Sequence, residues 1–237
     1  MDQDFFKLSS REEVIKFEEL LHQYEIEQAR VCLPHLPLIK AYNYSQTRVD
    51  GGKVFASFLD IKINFSMLWL EHQTMLTSRN KFTTKENFKE FSILDSDLEF
   101  FARIDFHRAG SAFILRYRAL WDKIMGFLVL TFIPQKYKDY ENAKKSRKKT
   151  FIKIVNTLIE SDPEKHKVFN TFAEEIILYL EGFDNVYRTP EAHGTGVLRK
   201  WSLSNLSFQD DPSFDLILGY WNFLNQTMSN IGKIFVD

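Results

Sequence analysis

Cysteine is almost missing from this chain: Cys32 is the only one in 237 residues. That excludes an intramolecular disulfide and a cysteine-based metal cluster, and it suits a reducing compartment, so a cytoplasmic location is expected. Glycine and proline are scarce as well, at 9 and 6, which leaves few breaks between long elements. Long apolar runs are lacking. The best, Ile124 to Ile133, falls well short of the about 20 residues a membrane-spanning helix needs. The amino terminus, Met1-Asp2-Gln3-Asp4, is acidic where a secretory signal is basic. Neither export nor a membrane anchor is expected. Charge of one sign is also missing. A formal net charge of -1 excludes the globally basic character of a protein that coats nucleic acid, while leaving room for a local basic patch.

What the chain does have is aromatic side chains: 23 Phe, 9 Tyr and 4 Trp. They supply large flat packing surfaces, some of them suited to meeting a second copy of the chain, and a homodimer is expected on that ground. The length suits one large helical domain or two tightly joined ones. The expectation is one compact unit, in which residues 1–90 form an amino-terminal helical part packed on a bundle of residues 91–237.

Periodicity predicts the elements. Ser10-Arg-Glu-Glu13 has the form of a capping box and is followed by Val14, Phe17, Leu20 and Leu21 at helical spacing. A first helix is therefore predicted from about Arg11 to Arg30. Pro34 and Pro37 break it, and a linker is expected through Asn43 to Gly51-Gly52. Val54, Phe58, Ile61, Phe65 and Leu68 then predict a second helix ending near Ser78. Ile61, Ile63, Phe65 and Met67 also alternate, which is the competing strand reading; the four-and-three spacing runs longer and favours helix. Phe106, Gly110, Phe113, Tyr117, Leu120, Ile124 and Phe127 mark a long bundle helix from about Ser96 to Ile133. A lysine-rich connector, a shorter helix with Phe151, Ile154, Val155 and Leu158, a helix opened by Asp162-Pro163, and a last one over about Ser213 to Phe235 complete an all-α antiparallel helical bundle.

Several kinds of chemistry find no residues to carry them. There is no glycine-rich phosphate loop, HExxH, paired CxxC or GxSxG. The six histidines show no ligand-like pairing on one helix face, so neither a metal nor a cofactor is expected. What remains is Arg188-Thr-Pro-Glu-Ala-His193. As a bare pattern of Arg, four to six residues and His, it arises by chance roughly 0.8 times in a chain of this composition. A second match, Arg30-Val-Cys-Leu-Pro-His35, runs off the first helix into a proline-broken loop and reads as accidental. Around Arg188 the context is better. Thr189 is expected to cap a helix, with Pro190 at its first position and His193 one turn in. Such a start offers free N–H groups to an anion and disfavours the imidazolium, while Arg188 presents a cationic fork to phosphate oxygens.

These residues resemble the HEPN superfamily, whose active ribonucleases carry Arg-x(4 to 6)-His on helical bundles. Arg116-Tyr-Arg118-Ala-Leu-Trp-Asp122-Lys123-Ile124 resembles the Asp-Lys-containing helix of several bacterial branches. Glu191-Ala192-His193, followed by Leu198-Arg199-Lys200, is similar to their motif helix. The likeness covers roughly residues 95 to 235 and departs from the family at Thr189 and Pro190. It implies a HEPN-like fold and metal-independent cleavage of RNA by attack of the 2′-hydroxyl on the neighbouring phosphate, with Arg188 and His193 as catalytic residues contributed by both chains of a dimer. Thr189, Glu191, Arg118 and Asp122 are the expected supporting residues, with Asp122 placed to orient Arg188 or His193. An antitoxin or other regulatory protein is the further partner implied for such a toxin or antiphage effector. Structural readings stand beside these: a salt bridge from Arg188 to Asp184 or Glu191, and an i,i+4 pair of Arg118 with Asp122. Lys144, Lys145, Arg147, Lys148 and Lys149 form the one strong basic cluster, either a solvated connector or a contact for RNA phosphates. The alternative function is a non-catalytic helical module that binds a nucleotide, an RNA or a protein.

Overall fold

The computed structural model describes residues 10–29, 38–82, 97–161, 167–193 and 212–235. Helix accounts for 92% of it and no strand occurs among the described residues, which settles the alternation around Ile63 as helical. The Arg30 to His35 match, the boundary expected near residue 90, Asp162-Pro163 and Leu198-Arg199-Lys200 lie outside the described residues.

Helix α1 (Arg11–Ala29) opens on the expected capping box: the Glu13 N–H donates to Ser10 Oγ and the Ser10 N–H to Glu13 Oε2, each at 3.2 Å. Helix α2 (Leu38–Gln46) occupies what the sequence presented as linker. Its nine residues are too few for periodicity to show. The group that starts it is remote, since Glu18 Oε1 on α1 accepts the Leu38 N–H at 3.0 Å.

Helix α3 (Gly51–Phe82) begins where the chain turns back on itself. A Cβ on Gly51 would overlap the carbonyl of Ser45, while one on Gly52 would meet nothing within 4 Å. Because that obstacle is backbone, Gly51→Ala should destabilise the protein by about 2–3 kcal/mol. Gly52→Ala should be neutral or stabilising by up to about 1 kcal/mol, since alanine is the better helix former. Urea unfolding of the two variants provides the comparison.

The long helix α4 (Asp97–Phe132) runs close to its expected bounds, with Phe106, Phe113, Tyr117, Leu120, Ile124 and Phe127 all buried. After a 3-10 turn at Pro134–Lys136 come α5 (Tyr137–Asn142) and α6 (Arg147–Ser161), so the lysine-rich connector itself contains a short helix. Helix α7 (Lys167–Phe183) continues through a π-helical turn (Asp184–Arg188) into α8 (Thr189–Ala192), and α9 (Pro212–Lys233) follows. Among the described residues no helix is long and apolar enough to cross a membrane.

The chain forms two compact units, one from Met1–Ile63, Asp122–Ala173 and Leu224–Asp237, the other from Asn64–Trp121 and Glu174–Phe223. In the first, Phe58, Phe127 and Phe235 pack as a trio with ring centroids 4.8–6.0 Å apart, and Phe151 packs edge-on against Phe169. Phe58 meets Phe127 while Asp60 pairs with Lys123, so α3 and α4 run antiparallel here. The Tyr140 hydroxyl donates to the Asp122 carbonyl at 2.6 Å, and its ring lies against Gly126.

In the second unit α3 and α4 are again antiparallel, with Glu71 3.9 Å from Arg116 and His72 against Phe113. Trp221 lies between Phe65 and His72, nearly parallel to both at 5.3 and 4.7 Å. The buried Tyr117 hydroxyl donates to the Tyr220 carbonyl at 2.9 Å and is held well above the usual phenol range, chiefly by burial.

Burial also holds the His72 imidazole below its ordinary value of 6.5, at about 4. Gln73 lies 3.4 Å from Nδ1, whereas Nε2 is buried without a hydrogen-bond partner among the described residues. The folded protein thus resists a proton that the unfolded chain accepts. Above pH 6.5 both states are neutral at this site and nothing is lost. As pH falls from 6.5 toward 4 the unfolded state is increasingly favoured, by about 3 kcal/mol once the pH is below both values. Urea unfolding at pH 7.5 and pH 4.5 should therefore show a large acid loss in the parent that is reduced by most of that amount in His72→Phe.

Candidate functional site

The second unit carries Arg188 and His193. Chain geometry there differs from the expected helix start. Thr189 is helical (φ -66°, ψ -49°), its N–H donates to the Asp184 carbonyl, and the π-helical turn before it makes no side-chain cap. The His193 N–H in turn lies 3.2 Å from the carbonyls of both Thr189 and Pro190. The motif is thus the continuation of a long helical segment. Thr189 is not an N-cap, and the N–H groups of Thr189 and His193 are already engaged. The physical reason is Pro190: in an ordinary helix its ring would strike the carbonyl four residues earlier, and it has no N–H to give. A wider turn just before it relieves that clash, so the chain passes through proline instead of restarting at it.

Tyr187 anchors this turn. It is fully buried, packed against Phe183 at 5.4 Å and edge-on to Tyr220 at 5.7 Å. Fixing Tyr187 fixes its neighbours: Asp184 points inward and Arg188 outward. Arg118 on α4 is buried, with its Nε 3.2 and 3.4 Å from the two carboxylate oxygens of Asp184. Arg188 reaches the same carboxylate at 4.0 Å through Nη1, one turn along, with its side chain 49% exposed. Two guanidinium groups therefore share one carboxylate, one sealed in and one open to solvent.

Of the two carboxylates expected as structural partners of Arg188, Asp184 is the one found, and the side chain of Glu191 lies outside the described residues. The Arg118 to Asp184 pairing spans 66 positions and left no trace in the sequence. Asp122, the residue expected to orient the motif, belongs to the first unit, where its carbonyl holds Tyr140. Lys144, Lys145, Arg147, Lys148 and Lys149 also belong to the first unit.

His193 and Thr189 are exposed. Arg188 closes the π-helical turn and His193 follows the last residue of α8, five positions on. Both are accessible to a polyanion, and neither is locked in the core.

No family model matches this sequence, and neither a curated protein nor a solved structure shows significant similarity to it.

Proposed function

We propose that this chain is a metal-independent endoribonuclease of the HEPN type. The observation that carries the reading is the half-exposed Arg188 guanidinium. It is held by a carboxylate that Arg118 fixes from inside the core, with the exposed His193 imidazole five residues on, as the Arg-x4-His pattern requires. Cleavage by the internal 2′-hydroxyl needs a base for that hydroxyl, an acid for the departing 5′-oxygen and positive charge at the pentacoordinate phosphorus. His193 supplies proton transfer and Arg188 the charge. One chain supplies a single Arg188 and a single His193, so a site with both a base and an acid is one shared by two chains, in which Arg188 and His193 come from both. Such a ribonuclease would act as a toxin or antiphage effector restrained by a regulatory protein.

The test is cleavage of single-stranded RNA in excess EDTA. The expected products carry a 2′,3′-cyclic phosphate on the upstream fragment and a 5′-hydroxyl on the downstream one. Products with a 5′-phosphate, or strict dependence on added divalent metal, would overturn the mechanism. Light scattering is expected to give twice the 28.1 kDa of one chain. A single-chain mass across a wide concentration range would remove the shared site.

The Asp184 to Arg188 pair favours the second reading, a non-catalytic helical module. In that case Arg188 completes the ion pair on the surface, and the intact protein binds RNA or a protein partner without cutting anything.

A further inference from the structure

The first unit carries a second feature that the ribonuclease site does not use. Between residues 136 and 153 the chain holds eight basic side chains against two acidic ones, Asp139 and Glu141, although its overall net charge is -1. Six of the eight, Lys136, Lys138, Lys144, Lys145, Lys149 and Lys153, are exposed. The other two are half-buried, and Arg147 has its guanidinium 6.0 Å over the Tyr140 ring. Lys149 and Lys153 stand one turn apart on α6 and so share a face. Beside them the 3-10 turn, α5 and α6 enclose a mostly apolar concavity of about 210 Å³, lined by Lys136, Asp139, Lys153, Ile154, Thr157 and Leu158 among others. Asp139 offsets one of these charges, at 3.7 Å from Lys136.

A basic helix of this kind has two ordinary occupants, an anionic membrane or a polyanion in solution. Membrane insertion needs an exposed apolar face opposite the charges. On α6 most of that face is spent, since Phe151, Ile154 and Val155 are buried in the core of their own unit. What is left is a row of flexible cations beside an apolar floor. That combination fits a strand whose phosphates are spaced along the lysines while a base rests on the partly exposed Leu158.

We infer that the α5–α6 face, which belongs to the other unit from Arg188 and His193, is a docking surface for single-stranded RNA. The choice of RNA over other polyanions rests on the ribonuclease reading. The surface would hold substrate by charge and without sequence preference, adding affinity but no chemistry.

The experiment uses the full chain and a fluorescein-labelled 2′-O-methyl oligouridylate, which cannot be cut by 2′-hydroxyl attack, with anisotropy followed against salt. With about four phosphates engaged, log Kd should rise with log salt with a slope of about 3, at about 0.7 per contact. The combined Lys144→Ala, Lys145→Ala, Lys149→Ala and Lys153→Ala variant should melt like the parent, bind on the order of 100-fold more weakly and lose most of the salt slope. A parent slope near zero, or a variant that binds within two-fold of the parent, would overturn the inference. So would tighter binding of the parent to phosphatidylglycerol vesicles than to the oligonucleotide. The two readings also fail separately. A parent that binds with the expected slope yet leaves unmodified RNA intact ends the ribonuclease proposal and keeps this surface. A lysine variant that cuts RNA with the parent's kcat/KM ends this surface and keeps the ribonuclease.

Discussion

His193→Ala is expected to cut RNA on the order of 100-fold more slowly than the parent, or worse, with its melting temperature unchanged. The side chain is exposed and only its backbone N–H is engaged by the helix, so its removal costs no packing. Arg188→Ala should lose activity on the same scale, because a guanidinium aimed at a developing phosphorane acts on the barrier and not on the fold. A small loss of stability is expected in that variant alone, since its half-exposed pair with Asp184 is worth at most about 1 kcal/mol. The measurement is initial rate under single-turnover conditions, paired with thermal melts. Rates equal to the parent in both variants would mean that the cleavage comes from a contaminant. A collapse of melting temperature in either would make the residue structural. Mixing the two inactive variants offers a sharper check on a shared site, because a mixed dimer would retain one intact Arg188 and one intact His193, and regain of part of the activity is expected.

Arg118→Leu is expected to have the largest effect on stability of any single change at this site, about 3 kcal/mol. Arg118 and Asp184 are both largely sealed from water, with side chains 10% and 14% exposed. Removing one member of a buried pair leaves the other as an uncompensated buried charge, which typically costs about 3–5 kcal/mol. Arg188, reaching the same carboxylate from the solvent side, offsets part of that. Two companion variants make the cause visible. The double change Arg118→Leu with Asp184→Leu should be less destabilised than Arg118→Leu alone, because the stranded charge is gone. Arg118→Lys should recover only part of the loss, since a point charge cannot replace a planar fork. Equal stability of the single and double variants in urea unfolding would show that Arg118 matters through packing and not through Asp184.

The long elements were legible because their apolar spacing persists over many turns. The Phe106 to Phe127 series fixed α4 nearly to its ends, and Ser10 with Glu13 marked the start of α1 through a contact three residues long. Legibility failed where the deciding contact is remote. Helix α2 is started by a carboxylate twenty positions earlier, and a nine-residue segment has too little length to announce itself. The site divides the same way. The pairing of Arg188 with Asp184 lies one turn apart and was open to inspection, whereas Arg118 reaches Asp184 only because α4 passes beside the end of α7. Thr189 and Pro190 misled for a further reason. A Thr-Pro step usually begins a helix, and nothing local distinguishes that from a proline absorbed by a widened turn.

That widened turn works as a phase shift in the helix. It holds one residue more than an α-helical turn would, so everything after it is rotated by about 100° from where α7 alone would have pointed it. His193 inherits the rotation while the buried Tyr187 stays fixed. Loss of a single residue within Asp184–Arg188 would cancel it, leaving the helix continuous and the composition of the motif nearly intact. The imidazole would then face a different part of the surface. In this segment the number of residues, and not only their identity, sets where the imidazole is aimed.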